Sequence, residues 1–194
     1  MKNNIKKIKH NYQNIQGWFN MEEQYLELLE NTPDNGIFVE LGAWMGKSTS
    51  FIVTEIQNRN RNINFYTVDT FQGELNSSDE NENKAYMQYD LKYIYEKYCE
   101  NTKHLTDYTT YVELSDVAAK YFENDSVDTI FIDAGHSYES VIKDIQSWLP
   151  KMKNGSVMAG HDYNGWSGVG KAVRELLGIP DKVTNDCWFV KIIK

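Results

Sequence analysis

The sequence predicts an α/β fold: a mostly parallel sheet of seven strands with helices on both faces, closed by an antiparallel C-terminal hairpin. Three observations carry this expectation. Apolar, sheet-favouring runs alternate with segments of helical periodicity along most of the chain. Acids and small residues cluster where these apolar runs stop, as expected at the carboxyl edge of a parallel sheet. The last two runs, Lys182 to Thr184 and Cys187 to Ile193, are too close for a parallel crossover and must pair as a hairpin.

Met21 to Glu30 reads as a short amphipathic helix, with Asn20 as its cap. Thr32-Pro33-Asp34-Asn35-Gly36 is a turn. Gly36 to Leu41 is a buried strand, followed by a helix over Lys47 to Gln57. Ile63 to Asp69 is the next strand, where Phe65, Tyr66 and Val68 suit a sheet. Gln72 to Leu105 interrupts the alternation and is dense in Asn, Glu and Tyr. A strand over Thr109 to Leu114 and a short helix over Val117 to Phe122 follow. Val127 to Asp133 is a strongly apolar strand that ends in an acid. Tyr138, Val141, Ile142, Ile145, Trp148 and Leu149 share one helical face. Gly155 to Gly160 is a small-residue strand, and Val169, Ala172, Val173, Leu176 and Leu177 mark the last helix, stopped at Gly178-Ile179-Pro180.

The 194 residues suit one domain, with a helical N-terminal extension over 1–35 and an insert over 72–105. A net charge of −8 excludes a general nucleic-acid binder, which would carry a basic face. The two cysteines, Cys99 and Cys187, are far apart and lack metal spacing, consistent with a reducing, cytoplasmic setting. No apolar run reaches membrane-spanning length, and the basic stretch Met1 to Lys9 lacks the apolar centre of a signal peptide. Nothing in the sequence sets the oligomeric state; a dimer is compatible with it.

The most informative segment is Phe38-Val39-Glu40-Leu41-Gly42-Ala43-Trp44-Met45-Gly46-Lys47-Ser48-Thr49. A strand feeding a helix through such a turn places backbone N–H groups beside a ligand. A phosphate-wrapping G-x-x-x-x-G-K-[ST] loop needs four residues between its glycines. Here only Ala43, Trp44 and Met45 separate Gly42 from Gly46, so that loop is one residue short. The E-x-G-x-x-x-G pattern of Glu40, Gly42 and Gly46 instead resembles the cofactor turn of class I S-adenosylmethionine (SAM) methyltransferases. Polar groups also end the other strands: Asp69, Ser115 with Asp116, Asp133, and His161 with Asp162. Asp69 falls where a nucleoside-binding fold places an acid for ribose hydroxyls, although an acid there also caps a turn.

The wording Glu40-Leu41-Gly42-Ala43 with Gly46 and Ser48 is similar to that of catechol-type, metal-dependent O-methyltransferases. Phe131-Ile132-Asp133-Ala134-Gly135-His136-Ser137-Tyr138 and Gly160-His161-Asp162-Tyr163 resemble bacterial sugar and macrolide-sugar O-methyltransferases more closely. The resemblance runs from about Gly17 to the C-terminus and implies a Rossmann-like methyltransferase sheet. It implies that Gly42, Ala43 and Ser48 hold the methionine part of SAM, with Glu40 lining the same turn. Asp69 would bind ribose, and Ser115 with Asp116 would flank adenine.

Asp133, His161 and Asp162 take the positions of the family's metal ligands. Two neighbouring carboxylates would repel without a cation, and hard oxygens suit Mg²⁺ or Mn²⁺. Imidazole is the departure: His161 reads as a ligand for a softer ion, as a residue orienting the ligands, or as a structural histidine. His136 takes the general-base position, with helix capping as the plainer reading. The implied reaction is methyl transfer from SAM to a hydroxyl of a small molecule or sugar beside Asp133. Tyr86, Tyr89, Tyr93, Tyr95 and Tyr98 of the insert, and Trp166, are candidates for stacking on the acceptor or forming a lid. The alternatives are metal-dependent oxygen chemistry on the same scaffold and a non-catalytic SAM- or sugar-binding module.

Overall fold

The computed structural model describes residues 7–73 and 91–194. Among them, seven strands form one sheet: β1 (Ile37–Leu41), β2 (Asn64–Asp69), β3 (Tyr108–Val112), β4 (Val127–Ile132), β5 (Met152–Gly160), β6 (Lys182–Thr184) and β7 (Cys187–Lys191). The order is β3-β2-β1-β4-β5-β7-β6, with β1 to β5 parallel and β7 antiparallel to both of its neighbours. The helices are α1 (Glu22–Asn31), α2 (Lys47–Asn58), α3 (Leu91–Thr102), α4 (Ser115–Ala118), α5 (Tyr138–Trp148) and α6 (Ser167–Leu177). The predicted fold class is the observed one. No helix of the described residues is long and apolar enough to cross a membrane.

Strand alternation sorts the core into two layers. Val39, Leu41, Ile130 and Ile132 meet Val141, Ile145 and Trp148 of α5 and Val169 and Val173 of α6. Phe38, Phe65 and Phe131 meet Tyr25, Leu28 and Leu29 of α1 and Phe51, Ile52 and Ile56 of α2 on the other face. A smaller cluster of Ile15, Ala43, Met45, Phe71, Ile94 and Tyr98 ties the N-terminal segment and α3 to the turn after β1.

Four details differ from the sequence expectation. Among the described residues, the N-terminal extension is helical only in one short turn, Tyr12–Asn14, and in α1. Asn20 does not cap α1: Met21 holds that position, and the Asn20 carbonyl accepts from Asn185 Nδ2 at 2.6 Å. β5 starts at Met152 rather than Gly155, because its register against β4 shifts between Val127 and Thr129. The insert contributes α3, which packs on the turn after β1: Asn101 Nδ2 donates to the Met45 carbonyl at 2.9 Å. Tyr98 is buried there, with its hydroxyl 2.6 Å from Thr110 Oγ1, so it serves packing. Tyr86 and Tyr89 lie outside the described residues.

The strand order reverses between β1 and β4, which opens a ligand crevice at their carboxyl ends. The two ends touch there. The Asp133 N–H donates to the Leu41 carbonyl at 2.8 Å, and a Cβ on Gly42 would sit 2.0 Å from the Asp133 carbonyl oxygen. Gly42 also has φ +89°, which L side chains rarely adopt. Gly42→Ala combines a strained backbone with overpacking, and is expected to cost on the order of 3 kcal/mol and to weaken SAM binding. Denaturant unfolding with SAM titration checks this; unchanged stability contradicts the close contact.

Candidate active site at the carboxyl edge of the sheet

The turn after β1 is held from two sides. Above it, Asp69 Oδ2 accepts from the Ala43 and Trp44 N–H groups at 2.7 and 2.9 Å, and Oδ1 accepts from Phe71 N–H at 2.7 Å. Below it, the fully buried Glu40 accepts from Tyr25 Oη (2.9 Å), Thr49 Oγ1 (2.5 Å) and Thr67 Oγ1 (2.9 Å). The Ser48 hydroxyl lies close enough to help hold the Glu40 charge. Burial raises the Glu40 pKa, and the hydroxyls of Thr49, Ser48, Thr67 and Tyr25 oppose that rise. Burial likewise raises Asp69, against the three backbone donors. Gly46 opens α2 in the left-handed conformation, and by helix geometry the first N–H groups of α2 lack intrahelical partners. Lys47 Nζ donates to the Gly17 carbonyl at 3.0 Å, so the lysine of a phosphate loop is spent on the N-terminal segment.

Asp133, His136 and Asp162 converge beside this turn, with one ligand atom from each within 4.8 Å of the others. His136 Nε2 lies 2.9 Å from Asp162 Oδ2 and 3.7 Å from Asp133 Oδ1. His161 Nδ1 lies 3.2 Å from Asp162 Oδ1 and 3.8 Å from Asp133 Oδ1. Both predicted roles, ion ligand and base, therefore fall on imidazoles that flank one carboxylate from opposite oxygens. Local structure explains the convergence. Ser137 caps α5 by accepting from Ser140 N–H, which turns the chain back immediately after His136. Asp162 adopts φ 61°, a left-handed conformation that Asp tolerates, and so faces back toward β4. The Trp166 ring stacks on His136 at 5.1 Å and 16°.

Burial alone would raise Asp162, but the neighbouring imidazoles of His136 and His161 outweigh it and hold the carboxyl well below the usual range. Burial alone would lower His161, but the Asp162 bond and the charges of Asp133, Asp162 and Asp186 raise it. Two carboxylates and two imidazoles in half-buried surroundings form a donor set that fits Mg²⁺ or Mn²⁺, with nitrogen favouring the softer ion.

Other predicted residues are placed differently. Glu40 is enclosed, so it braces the cofactor turn rather than touching a ligand. Three of the roughly four acceptor sites of the Asp69 carboxylate are used by the turn, as in the capping alternative. The Ala43 N–H is likewise occupied by Asp69. Ser115 accepts from Trp148 Nε1 at 2.9 Å, and Asp116 pairs with Lys143 at 2.9 Å. Both lie at the sheet edge next to Asp69, whose carbonyl accepts from Glu113 N–H. Sequence reasoning missed Asp186. It forms with Asn185 the two-residue turn between β6 and β7, both at positive φ as that hairpin type requires. Its carboxylate accepts from Asn164 and Gly165 N–H at 2.7 and 3.1 Å and joins His161 and Asp162 in a second group of potential ligands. The signal was the polar pair in a predicted hairpin, but the pairing partner lies in a distant loop.

Residues 39–163 match the family described as "Methyltransferase domain". The chain belongs to this methyltransferase family. The matched span includes the turn at Gly42, Asp133 and Asp162. No curated protein matches the chain. Among solved structures it is similar to the O-methyltransferase NovP, with a TM-score of 0.69 and 17% identity over 89% of this chain and 79% of that one. CalS11, a TDP-rhamnose 3′-O-methyltransferase of calicheamicin biosynthesis, gives a TM-score of 0.60 and 16% identity over 88% and 76%. A Streptococcus mutans protein solved in complex with S-adenosylhomocysteine (SAH) gives 0.54 and 11% over 91% and 100%. At these identities the structures share the fold.

The cluster predicts a pH dependence of stability. The raised His161 stabilises the fold below its ordinary pKa of 6.5, and this is lost as pH rises through the raised value. The depressed Asp162 stabilises above 3.8, and this is lost as pH falls. The two contributions overlap between about pH 4 and pH 6.5. The thermal midpoint of the protein in EDTA is therefore expected to fall from about pH 6 to about pH 9, and His161→Gln to flatten that fall. An identical slope in the variant contradicts the assignment.

Proposed function

We propose that this protein is a SAM-dependent, divalent-metal-assisted O-methyltransferase acting on a hydroxyl of a small molecule or sugar. The observation that carries the reading is the convergence of Asp133, Asp162, His136 and His161 beside the glycine turn of a methyltransferase domain. NovP is named an O-methyltransferase and CalS11 a sugar O-methyltransferase, which supports a hydroxyl acceptor. SAM seats at the turn of Gly42, Ala43 and Ser48 in this reading, with Asp69, Ser115 and Asp116 on the nucleoside side. Asp133 and Asp162 would hold the ion in this reading, with His161 beside both carboxylates as its nitrogen ligand. When bound, the ion supplies positive charge that makes an alcohol more acidic, while the sulfonium supplies the methyl group.

The protein's own groups do the rest. His136 Nε2 lies 2.9 Å from Asp162 Oδ2, so the carboxylate charge stabilises the imidazolium once a proton arrives. The Trp166 face fixes the plane of that ring. The rigid ends of β1 and β4 hold donor and acceptor sides together, so that orientation contributes much of the rate. Free Cys99 and Cys187 support a cytoplasmic setting.

A second reading has a specific observation behind it. Two imidazoles and Asp162 also resemble the two-histidine, one-carboxylate set of iron oxygenases. Oxygen uptake with Fe²⁺, absent SAM, would favour it.

His136→Gln is expected to keep Mn²⁺ affinity within about threefold and to lower kcat roughly 10²–10⁴-fold, the range of a lost general base. Asp133→Ala and EDTA are expected to abolish transfer while sparing most SAM affinity. Calorimetry with Mn²⁺ and with SAM, beside transfer of labelled methyl, reads all three. Loss of Mn²⁺ binding in His136→Gln would place that residue on the ion instead, and full activity in EDTA would refute the metal.

A further inference from the structure

Residues Gly17–Asn20 are pinned at both ends to different halves of the site. At one end the Gly17 carbonyl accepts from Lys47 Nζ at 3.0 Å, and the Gly17 backbone passes over the Trp44 ring of the cofactor turn. At the other end the Asn20 carbonyl accepts from Asn185 Nδ2 at 2.6 Å, next to Asp186 of the ligand cluster. Three residue steps span at most about 11 Å, so this strap borders the crevice between turn and cluster. Phe19 turns inward, against Tyr12, Tyr25 and Phe51 at 5.7, 5.3 and 5.2 Å. Trp18 turns outward: it is 79% exposed, with its ring tilted against Trp44 at 6.1 Å.

A lone exposed aromatic needs no explanation, but an indole on a strap anchored to both halves of a site does. Asp133, Asp162 and Asp186 make the crevice unfavourable for anionic acceptors. A neutral pyranose fits both features: its C–H face stacks on indole and its hydroxyl rim stays available to the polar cluster. We infer that Trp18 is the surface on which the acceptor sugar stacks, which makes the strap 17–20 a specificity element. This rests on the methyltransferase reading and adds to it where the acceptor sits and what kind it is.

The test uses the full chain with labelled SAM and Mn²⁺ against a panel of methyl pyranosides bearing vicinal hydroxyls. For the best of these, Trp18→Ala is expected to raise KM about fivefold to tenfold, the scale of one aromatic contact, with kcat and SAH affinity within about twofold. Trp18→Phe is expected to restore most of the KM. The glycoside should also quench indole fluorescence in the parent and less in Trp18→Phe. An unchanged KM in a Trp18→Ala protein of normal thermal midpoint overturns the inference. So does failure of an SAH-binding parent to methylate any pyranoside. Failure of the parent to bind SAH at all overturns the underlying reading instead.

Discussion

The site depends on one backbone contact, the approach of Gly42 to the Asp133 carbonyl. It joins the end of β1 to the end of β4 where the strand order reverses. Only a residue without Cβ fits, and only that fit brings the cofactor turn within reach of the acids after β4 and β5. Once the two ends touch, the surrounding hydrogen bonds have fixed partners. Asp69 ties the turn from above, Glu40 braces it from below, and α3 closes over it through Asn101 and Tyr98. Carboxylates drawn out of water are costly unless every oxygen is paired, and the buried Glu40 and half-buried Asp69 meet that condition with hydroxyl or backbone donors.

Beside this rigid turn lies a group whose charges are only partly compensated. Asp162 is shared by two imidazoles, and Asp133 sits nearly 4 Å from both, beyond hydrogen-bond length. Asp186 approaches from the hairpin and fixes the loop at Asn164 and Gly165. Such a cluster is rigid in its backbone and short of positive charge, which is what a divalent ion supplies. The same logic gives the N-terminal strap its place, since it fastens the cofactor turn to the hairpin that carries Asp186.

The strands and the turn were legible because their causes are local. Phe38 to Leu41 and Val127 to Ile132 are apolar runs in any context, and Gly42 and Gly46 mark a backbone that other residues resist. Asp133, His136, His161 and Asp162 were legible because each follows a strand end, and a parallel sheet collects its strand ends on one edge. The partners of those residues were not legible. That Asp69 would serve the Ala43 and Trp44 N–H groups, or that Asp186 would join His161, depends on tertiary approach between distant segments. Asn20 is no cap either: Met21 holds that position, and the Asn20 carbonyl meets Asn185 of the distant hairpin. Trp18 carried no pattern at all, because its position is set by two anchors outside its own segment.

In the proposed function, Asp133 and Asp162 grip one cation beside the Gly42 turn. Anomalous diffraction from a crystal grown with SAH and soaked in Mn²⁺ addresses it directly. A single strong peak is expected between the two carboxylates, on the side of the turn that holds SAH. A peak confined to Asp186, or none where SAH is well ordered, would contradict it.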